Sequence, residues 1–343
     1  MTLRQVVFDG SVLAAGPPTG VARSFLTTLA AYGRLAQKAG DPEPVLLVPA
    51  GTAAPNMAGV QVQLGPVGAV RKQLRLPGLL RELGAGVFHS PVTALPVRAR
   101  CPMVATIHDL PWHAREVLQE PGCGWRHRLA VRVATRRAAA IVVPSRATAL
   151  DVLRECREHG HAQVCVIRHG VALPSEPAPP EQLNGPFLVL GDDRPRKNLA
   201  RVKEAHAQAR VIEPDLPDLE IHGPVHGYVT EAEKSKLLRS CRALLHLSLF
   251  EGFGLPVLEA FGHGLPVLCS DRGSLPEVTD GAALAVDPTN VAAMARAMVR
   301  IHRNQELRAA LRAKGLRRAA ALTPETSATG WRSLHEEVQR RCE

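Results

Sequence analysis

At 343 residues the chain is too long for one core of ordinary size, and two domains are the expectation. Aromatic residues are only 3% while Ala, Val and Leu abound, a balance that excludes an aromatic-rich β-sandwich and suits parallel strands covered by helices. The net charge of +10 is uneven: residues 1–185 hold 20 Lys and Arg against 12 Asp and Glu, the remainder 22 against 20, so the first half carries the field that would draw an anionic partner.

In chain order, Gln5-Val6-Val7-Phe8-Asp9 reads as a first buried strand. The turn Gly16-Pro17-Pro18-Thr19-Gly20-Val21-Ala22-Arg23 leads into an apolar-periodic helix through about Gln37. Apolar runs at Pro44–Pro49, Val60–Leu64, Gly86–Ser90, Met103–His108, Ala140–Ser145 and Val164–Arg168 read as further strands, with helical patterns at 72–83, 125–137 and 146–158. The prolines of Leu173-Pro174-Ser175-Glu176-Pro177-Ala178-Pro179-Pro180 break the alternation and predict a linker over 174–186 between domains 1–173 and 187–324. The alternation then restarts: strands at Phe187–Gly191, Leu219–His222, 243–248 and Pro266–Cys269, helices from about Asn198 and Thr230, at 256–262, 290–303 and 304–321, and a last helix over 325–343. Two α/β halves in tandem predict ligand sites at strand C-terminal ends. No apolar run is long enough to span a bilayer and no signal-peptide pattern opens the chain, so a cytoplasmic location is expected.

The most informative stretch is Leu249-Phe250-Glu251-Gly252-Phe253-Gly254-Leu255-Pro256-Val257-Leu258-Glu259. An apolar strand precedes it, and a helix with proline in its first turn follows. A glycine loop at a helix N-terminus receives anions, while Glu251 and Glu259 suit hydroxyls, so the expected ligand bears both phosphate and hydroxyl groups. In the loop Gly191-Asp192-Asp193-Arg194-Pro195-Arg196-Lys197-Asn198, Gly191 lets the backbone turn and Arg196 with Lys197 supplies fixed positive charge. In the first half, His108 and Asp109 end one strand and His89 another; each reads either as a site residue or as a core histidine held by neighbours. Arg128, Arg132 and Arg136 share one helix face with helical spacing, the pattern of a solvated surface as well as of an anion site.

The seven cysteines are scattered, with no C-x-x-C, and read as reduced thiols; Cys156, His159, His161 and Cys165 depart from zinc-site spacing and read as ordinary packing and surface residues. Walker A, G-x-G-x-x-G, H-E-x-x-H and G-x-S-x-G patterns are all missing, and no D-x-D offers a metal clamp. Arg196, Lys197 and helix N-termini are left to neutralise phosphates, with no metal or cofactor expected.

Glu251 through Glu259 resembles the E-x7-E motif of retaining glycosyltransferases of family 4, which have the GT-B fold. The likeness extends to Gly227-Tyr228-Val229, to Pro195-Arg196-Lys197-Asn198, to Ser270-Asp271-Arg272-Gly273-Ser274-Leu275-Pro276-Glu277-Val278 and to Val286-Asp287-Pro288. Thr19-Gly20-Val21-Ala22-Arg23, Phe88-His89-Ser90-Pro91 and Ile107-His108-Asp109-Leu110 resemble the mannosyltransferase-like branch. The resemblance implies two Rossmann-like α/β/α domains facing each other across a cleft, with the last helix crossing back to the first. It implies a nucleotide-sugar donor, GDP-mannose first and UDP-glucose next, held by the second domain. Glu251 would bond the donor sugar, Glu259 the ribose, Gly252, Phe253, Gly254 and Leu255 would line sugar and phosphate, and Arg196 and Lys197 with Gly191 would hold the diphosphate. His108, Asp109, His89, Thr19, Gly20 and Arg23 would form the acceptor side, with Gly20 also reaching the donor. Asp192 and Asp193 depart from the family pattern and weaken the diphosphate subsite unless Arg194 neutralises them; His263 and Ser24 depart as well.

The reading is thus a metal-independent retaining glycosyltransferase acting on a glycan, lipid-linked or small-molecule acceptor. Its alternatives are a sugar-nucleotide epimerase or hydrolase of similar fold and a non-catalytic nucleotide-sugar binder. Arg71-Lys72-Gln73-Leu74-Arg75-Leu76-Pro77-Gly78-Leu79-Leu80-Arg81 is basic and apolar; it reads either as a peripheral contact with anionic lipid at the inner membrane face or, favoured by Pro77, as a core-facing helix with solvated arginines. Nucleic acid is not an expected partner, for the basic residues lack interleaved aromatics.

Overall fold

The computed structural model describes residues 2–13, 19–113, 124–227 and 229–342, the side chains of Ala69 and His159 excepted. Gly16, Pro17, Pro18, Tyr228 and the His159 side chain, all named above, therefore lie outside the described residues, as does Cys123, one of the seven cysteines. The chain divides into two compact units: Met1–Leu110 with Gly122–Gly170 and Pro324–Glu343, and Val171–Thr323 with Pro111–Pro121.

The first unit is a seven-stranded parallel sheet formed by β1 (Val6–Asp9), β2 (Val45–Pro49), β3 (Gln61–Gly65), β4 (Val87–Ser90), β5 (Met103–Thr106), β6 (Ala140–Val143) and β7 (Gln163–Val166). The spatial order is β3-β2-β1-β4-β5-β6-β7, with Phe8 in register with Leu46 on one side and His89 on the other. The five inner strands are near-continuous apolar runs because helices cover both faces, whereas the edge strands β3 and β7 are part-exposed. Crossovers run through α1 (Gly20–Ala39), α2 (Ala69–Glu82), α3 (Trp125–Arg137) and α4 (Arg146–His159). Thr19 caps α1 by accepting from the Ala22 N–H, and Gly40 ends it at φ 69°, a left-handed turn that favours glycine. Ser145 caps α4 in the same way as Thr19 caps α1. The helix α2 continues through Pro77, burying Leu76 and Leu80 on its core side and leaving Val70 and Leu74 exposed.

The second unit comprises β8 (Phe187–Leu190), α5 (Leu199–Ile212), β9 (Leu219–His222), α6 (Glu231–Ser240), β10 (Ala243–His246), α7 (Leu255–Gly262), β11 (Val267–Ser270), α8 (Leu275–Thr279), β12 (Leu284–Val286), α9 (Val291–Arg303) and α10 (Gln305–Ala321). Its parallel sheet has the order β12-β11-β10-β8-β9, with one apolar cluster on each face. Neither β12 nor α8 stands out in the sequence: each is five residues or fewer, and β12 is a part-exposed edge. The proline-rich stretch, expected to be a linker over 174–186, is packed on this unit. Ala178 and Leu183 are buried in its core, and the Ala178 N–H donates to the His263 carbonyl at 2.9 Å.

The last helix, α11 (Pro324–Arg341), belongs to the first unit. Trp331 packs 5.7 Å from Phe8 and 6.0 Å from Phe25, and Leu334 and Val338 are buried beside β4 and β5. Each such side chain contributes about 1.5–3 kcal/mol of burial. Arg332 donates to the buried Asp41 carboxylate at 2.7 Å and fixes the helix against the end of α1. Among the described residues no helix is long and apolar enough to cross a membrane.

Candidate active site

In an open parallel sheet, the crevice forms where strand order reverses, outside the strand C-terminal ends. In the second unit the reversal falls between β8 and β10, and the two loops singled out in the sequence leave those two strands. They are tied together before any ligand arrives. Asn198, at φ 62°, donates its amide to the carbonyls of Leu247 and Pro288 at 3.1 and 2.7 Å, and the Leu249 N–H donates to the Arg196 carbonyl at 2.7 Å. That framework carries the Lys197 stem alongside Gly191, within van der Waals reach of where a Cβ would stand.

Lys197 Nζ reaches Glu251 Oε1 at 2.6 Å, and His246 Nε2 stands 3.3 Å from the same oxygen. His246 is 3% exposed and Nε2 has no hydrogen bond of acceptable angle. Burial alone would push the Glu251 carboxyl up, but Lys197, His246 and Arg196 outweigh it and hold the group well below the carboxylate range. Glu251 is thus an anion with its charge already matched. Its carbonyl is held by Ser274, through N–H at 3.3 Å and hydroxyl at 2.9 Å.

Gly254 precedes α7 at φ 96°, and a Cβ there would lie 2.6 Å from Leu275 Cδ2, so both backbone and space demand glycine. No side chain caps the α7 N-terminus, which leaves a polarised end at the loop. Phe253 turns inward into the core, so only its backbone can line a ligand. Glu259, about one turn into α7, pairs with Lys234 at 2.7 Å, and Lys234 also holds Glu231 at 2.9 Å. The departures at Asp192 and Asp193 are absorbed locally. Arg194 engages Asp192 at 2.6 Å and holds its carboxyl down against burial, while His226 pairs with Asp193 at 2.6 Å. His263 donates from Nδ1 to the Glu259 carbonyl at 2.8 Å and meets the Ser235 hydroxyl at 3.1 Å, tying α7 to α6.

In the first unit the reversal falls between β1 and β4. There Asp9 accepts from Lys72 Nζ at 2.5 Å, from the Ser11 N–H and hydroxyl at 3.0 and 2.9 Å, and from the Ser90 hydroxyl at 3.3 Å. Thr19 is exposed as the α1 cap, with Gly20 and Arg23 part-exposed in its first turn. His108 and Asp109 follow β5 and are half-buried. His108 Nε2 lies 2.9 Å from the Pro91 carbonyl, which can only accept, so that nitrogen carries the proton. Nδ1 then accepts from Nε2 of His169 at 3.2 Å, the two rings stacked 5.2 Å apart. Burial lowers both imidazoles, His169 to about 3, so the pair is neutral at pH 7. With both nitrogens engaged, His108 in this arrangement orients rather than abstracts a proton.

His89 is a correction. It is fully buried, Nδ1 at 3.0 Å from His335 Nε2 and Nε2 at 3.1 Å from the Thr106 hydroxyl, with the Trp331 ring 4.9 Å away. The His335 Nδ1 is bonded in turn to the Tyr32 hydroxyl at 3.0 Å. Burial drives His89 well below its usual value and His335 to about 3. The chain Tyr32–His335–His89–Thr106 is a neutral core network, out of reach of an acceptor. Residues that the sequence reading missed are Lys234, His246, Lys72, Asp9 and His169; the one sequence signal among them is His246, a polar side chain inside the apolar run Ala243-Leu244-Leu245-His246-Leu247.

Two doubly wound parallel sheets, each with polar residues at its switch point, have the GT-B fold. The family model for glycosyl transferases group 1 matches residues 218–318, and that for glycosyltransferase family 4 matches 38–174. Residues 218–318 are thus similar to the group 1 glycosyltransferases and residues 38–174 to those of family 4. It is 37% identical over 103 residues to the O-antigen chain mannosyltransferase B of Escherichia coli, covering 30% of this chain and 27% of that protein. It is 30% identical over 222 residues to the MMP alpha-(1->4)-mannosyltransferase of Mycolicibacterium hassiacum, covering 55% of this chain and 54% of that protein. The chain therefore spans about half or less of these curated relatives. Sucrose-phosphate synthase from Thermosynechococcus elongatus has a similar fold, with a TM-score of 0.75 at 17% identity over 98% of this chain and 99% of that one.

Proposed function

We propose that the protein is a metal-independent retaining hexosyltransferase, transferring mannose from GDP-mannose to a hydroxyl of a glycan, lipid-linked or small-molecule acceptor. The observation that carries this reading is the preassembled Lys197–Glu251 contact beside the uncapped α7 terminus. A lysine already holding a carboxylate at 2.6 Å can exchange that partner for a diphosphate oxygen, which frees Glu251 to accept from sugar hydroxyls. Lys234 has the corresponding relation to Glu259 and the ribose. The chemistry breaks the bond between the anomeric carbon and the diphosphate oxygen and forms a bond from the acceptor oxygen on the same face. Positive charge from Lys197, Arg196 and the helix terminus stabilises the leaving diphosphate. The acceptor proton passes to that departing phosphate oxygen, consistent with a His108 whose ring nitrogens are both occupied. The mannosyl donor is supported by the names of the two curated relatives.

The test is a thermal-shift screen against GDP, UDP, ADP and their sugars, followed by NMR of the product formed with the stabilising donor. GDP and GDP-mannose should raise Tm most, and the product should keep the donor's anomeric configuration. Transfer surviving undiminished in Glu251→Ala and Lys197→Ala would overturn the site assignment, and an altered donor sugar without acceptor would indicate an epimerase.

A further inference from the structure

A second cavity lies on the first unit at the opposite edge of the sheet, where the strands begin. Its volume is about 450 Å³, and Arg4, Arg81, Arg98 and Arg100 line it with no acidic residue among the lining side chains. Arg4 precedes β1, Gly86 precedes β4 and Pro102 precedes β5, so the cavity sits below the strand N-termini, away from Asp9 and His108 at the C-terminal ends.

The floor is built rather than incidental. The Arg4 N–H donates to Gln339 Oε1 at 2.8 Å, and the Gln339 amide donates back to the Arg4 carbonyl at 3.2 Å. A Cβ on Gly86 would fall 2.5 Å from Arg4 Cβ and 2.9 Å from Gln339 Nε2, so only glycine lets the three segments meet. The wall carrying Arg98 and Arg100 is pinned from both sides. Gln73 of α2 accepts from the Val97 N–H at 2.7 Å and donates to the Leu95 carbonyl at 2.9 Å, while Arg137 of α3 donates to the Val97 carbonyl at 2.6 Å. Among the described residues the side chains of Arg81, Arg98 and Arg100 make no ion pair or hydrogen bond. Four guanidinium groups around one concavity focus positive potential into it. Their planar donor forks match phosphate oxygens, and Pro77, Leu80 and Pro102 give the cavity an apolar side.

We propose that this cavity is a binding site for a phosphate-bearing group, separate from the residues assigned to donor and acceptor. The same chemistry is presented by a soluble polyphosphate and by the headgroup of an anionic phospholipid, and the experiment tells them apart. Cys101 and Cys342 line the cavity and serve as built-in reporters; Cys156, part-exposed on α4, is the internal control. Alkylation by N-ethylmaleimide is followed at each cysteine by peptide mass spectrometry. The probes are sodium tripolyphosphate, vesicles of phosphatidylglycerol with phosphatidylcholine, and vesicles of phosphatidylcholine alone, all at matched ionic strength. Occupancy should slow Cys101 and Cys342 at least threefold with Cys156 unchanged, and the exposed double variant Arg98→Ala/Arg100→Ala should lose the effect while melting as wild type does. Protection by tripolyphosphate identifies a free phosphate ligand; protection by the anionic vesicles alone identifies a headgroup. Unchanged Cys101 and Cys342 rates with both probes overturn the proposal, as does equal protection in the double variant or by added sodium chloride. Because the signal is read at the cavity, it is independent of whether a nucleotide sugar binds the second unit.

Discussion

Replacing Lys197 by methionine keeps most of the unbranched stem and removes the charge that faces Glu251. At 2.6 Å and an effective dielectric near 20, the gross attraction in this pair is about 6 kcal/mol. Desolvating two charges costs several kcal/mol per ion, so the pair as a whole adds little net stability. Removing one partner is different, because the Glu251 side chain is 9% exposed and would be left charged in a buried place. The general cost of that is about 3–5 kcal/mol, and His246 and Arg196 nearby put the expected loss at the lower end, about 3 kcal/mol at pH 7.

The pH dependence checks the cause. Glu251 in the folded protein titrates well below its ordinary 4.5, so its contribution is present above that value and is lost as pH falls through the folded pKa. In Lys197→Met the desolvation that Lys197 opposed takes over and the folded pKa rises. The stability gap between wild type and variant should therefore be full well above the variant's raised folded pKa and should shrink as pH falls through it towards the wild-type folded pKa. Urea unfolding at several pH values from neutral to mildly acidic measures it, and Lys197→Met/Glu251→Gln should recover most of the loss at neutral pH. A gap that stays constant with pH, or no recovery in the double variant, would refute the coupling.

Gly254→Ala should lose about 1–3 kcal/mol in urea unfolding and most of its donor-induced thermal shift, since φ 96° and Leu275 at 2.6 Å both oppose a Cβ. Lys72→Met strands the Asp9 carboxylate, 5% exposed, and should cost about 3 kcal/mol at neutral pH, restored in large part by adding Asp9→Asn. Arg332→Ala leaves Asp41, 1% exposed, without its guanidinium; a loss of about 3 kcal/mol is expected, with faster hydrogen exchange in α11 as the local sign. His89→Gln should lower Tm through the core network, and a transfer rate per folded molecule changed more than twofold would contradict its placement there.

The sequence carried the sheets because buried parallel strands write themselves as apolar runs, and both loops at the second unit's switch point were visible through Gly191, Arg196, Lys197 and the Glu251–Glu259 spacing. It could not separate His89 from His108, each at the end of an apolar run. His89 lies inside β4, one residue before its end, where the alternation of side chains turns it away from its neighbours Phe88 and Ser90. What decides its role is His335, 246 residues away on α11. His108 lies two residues past the end of β5, where strand alternation no longer dictates direction, and it found Pro91 and His169 instead. The partners of Glu251 and Glu259 divide in the same way. Lys197 was legible because it shares a loop with Arg196 that leaves a neighbouring strand, whereas Lys234 is one lysine among several on a polar helix and only packing against α7 selects it. A carboxylate pair read from sequence predicts that cations must be near; which cations arrive depends on strand order, since β8 and β10 adjoin in the sheet although β9 separates them along the chain.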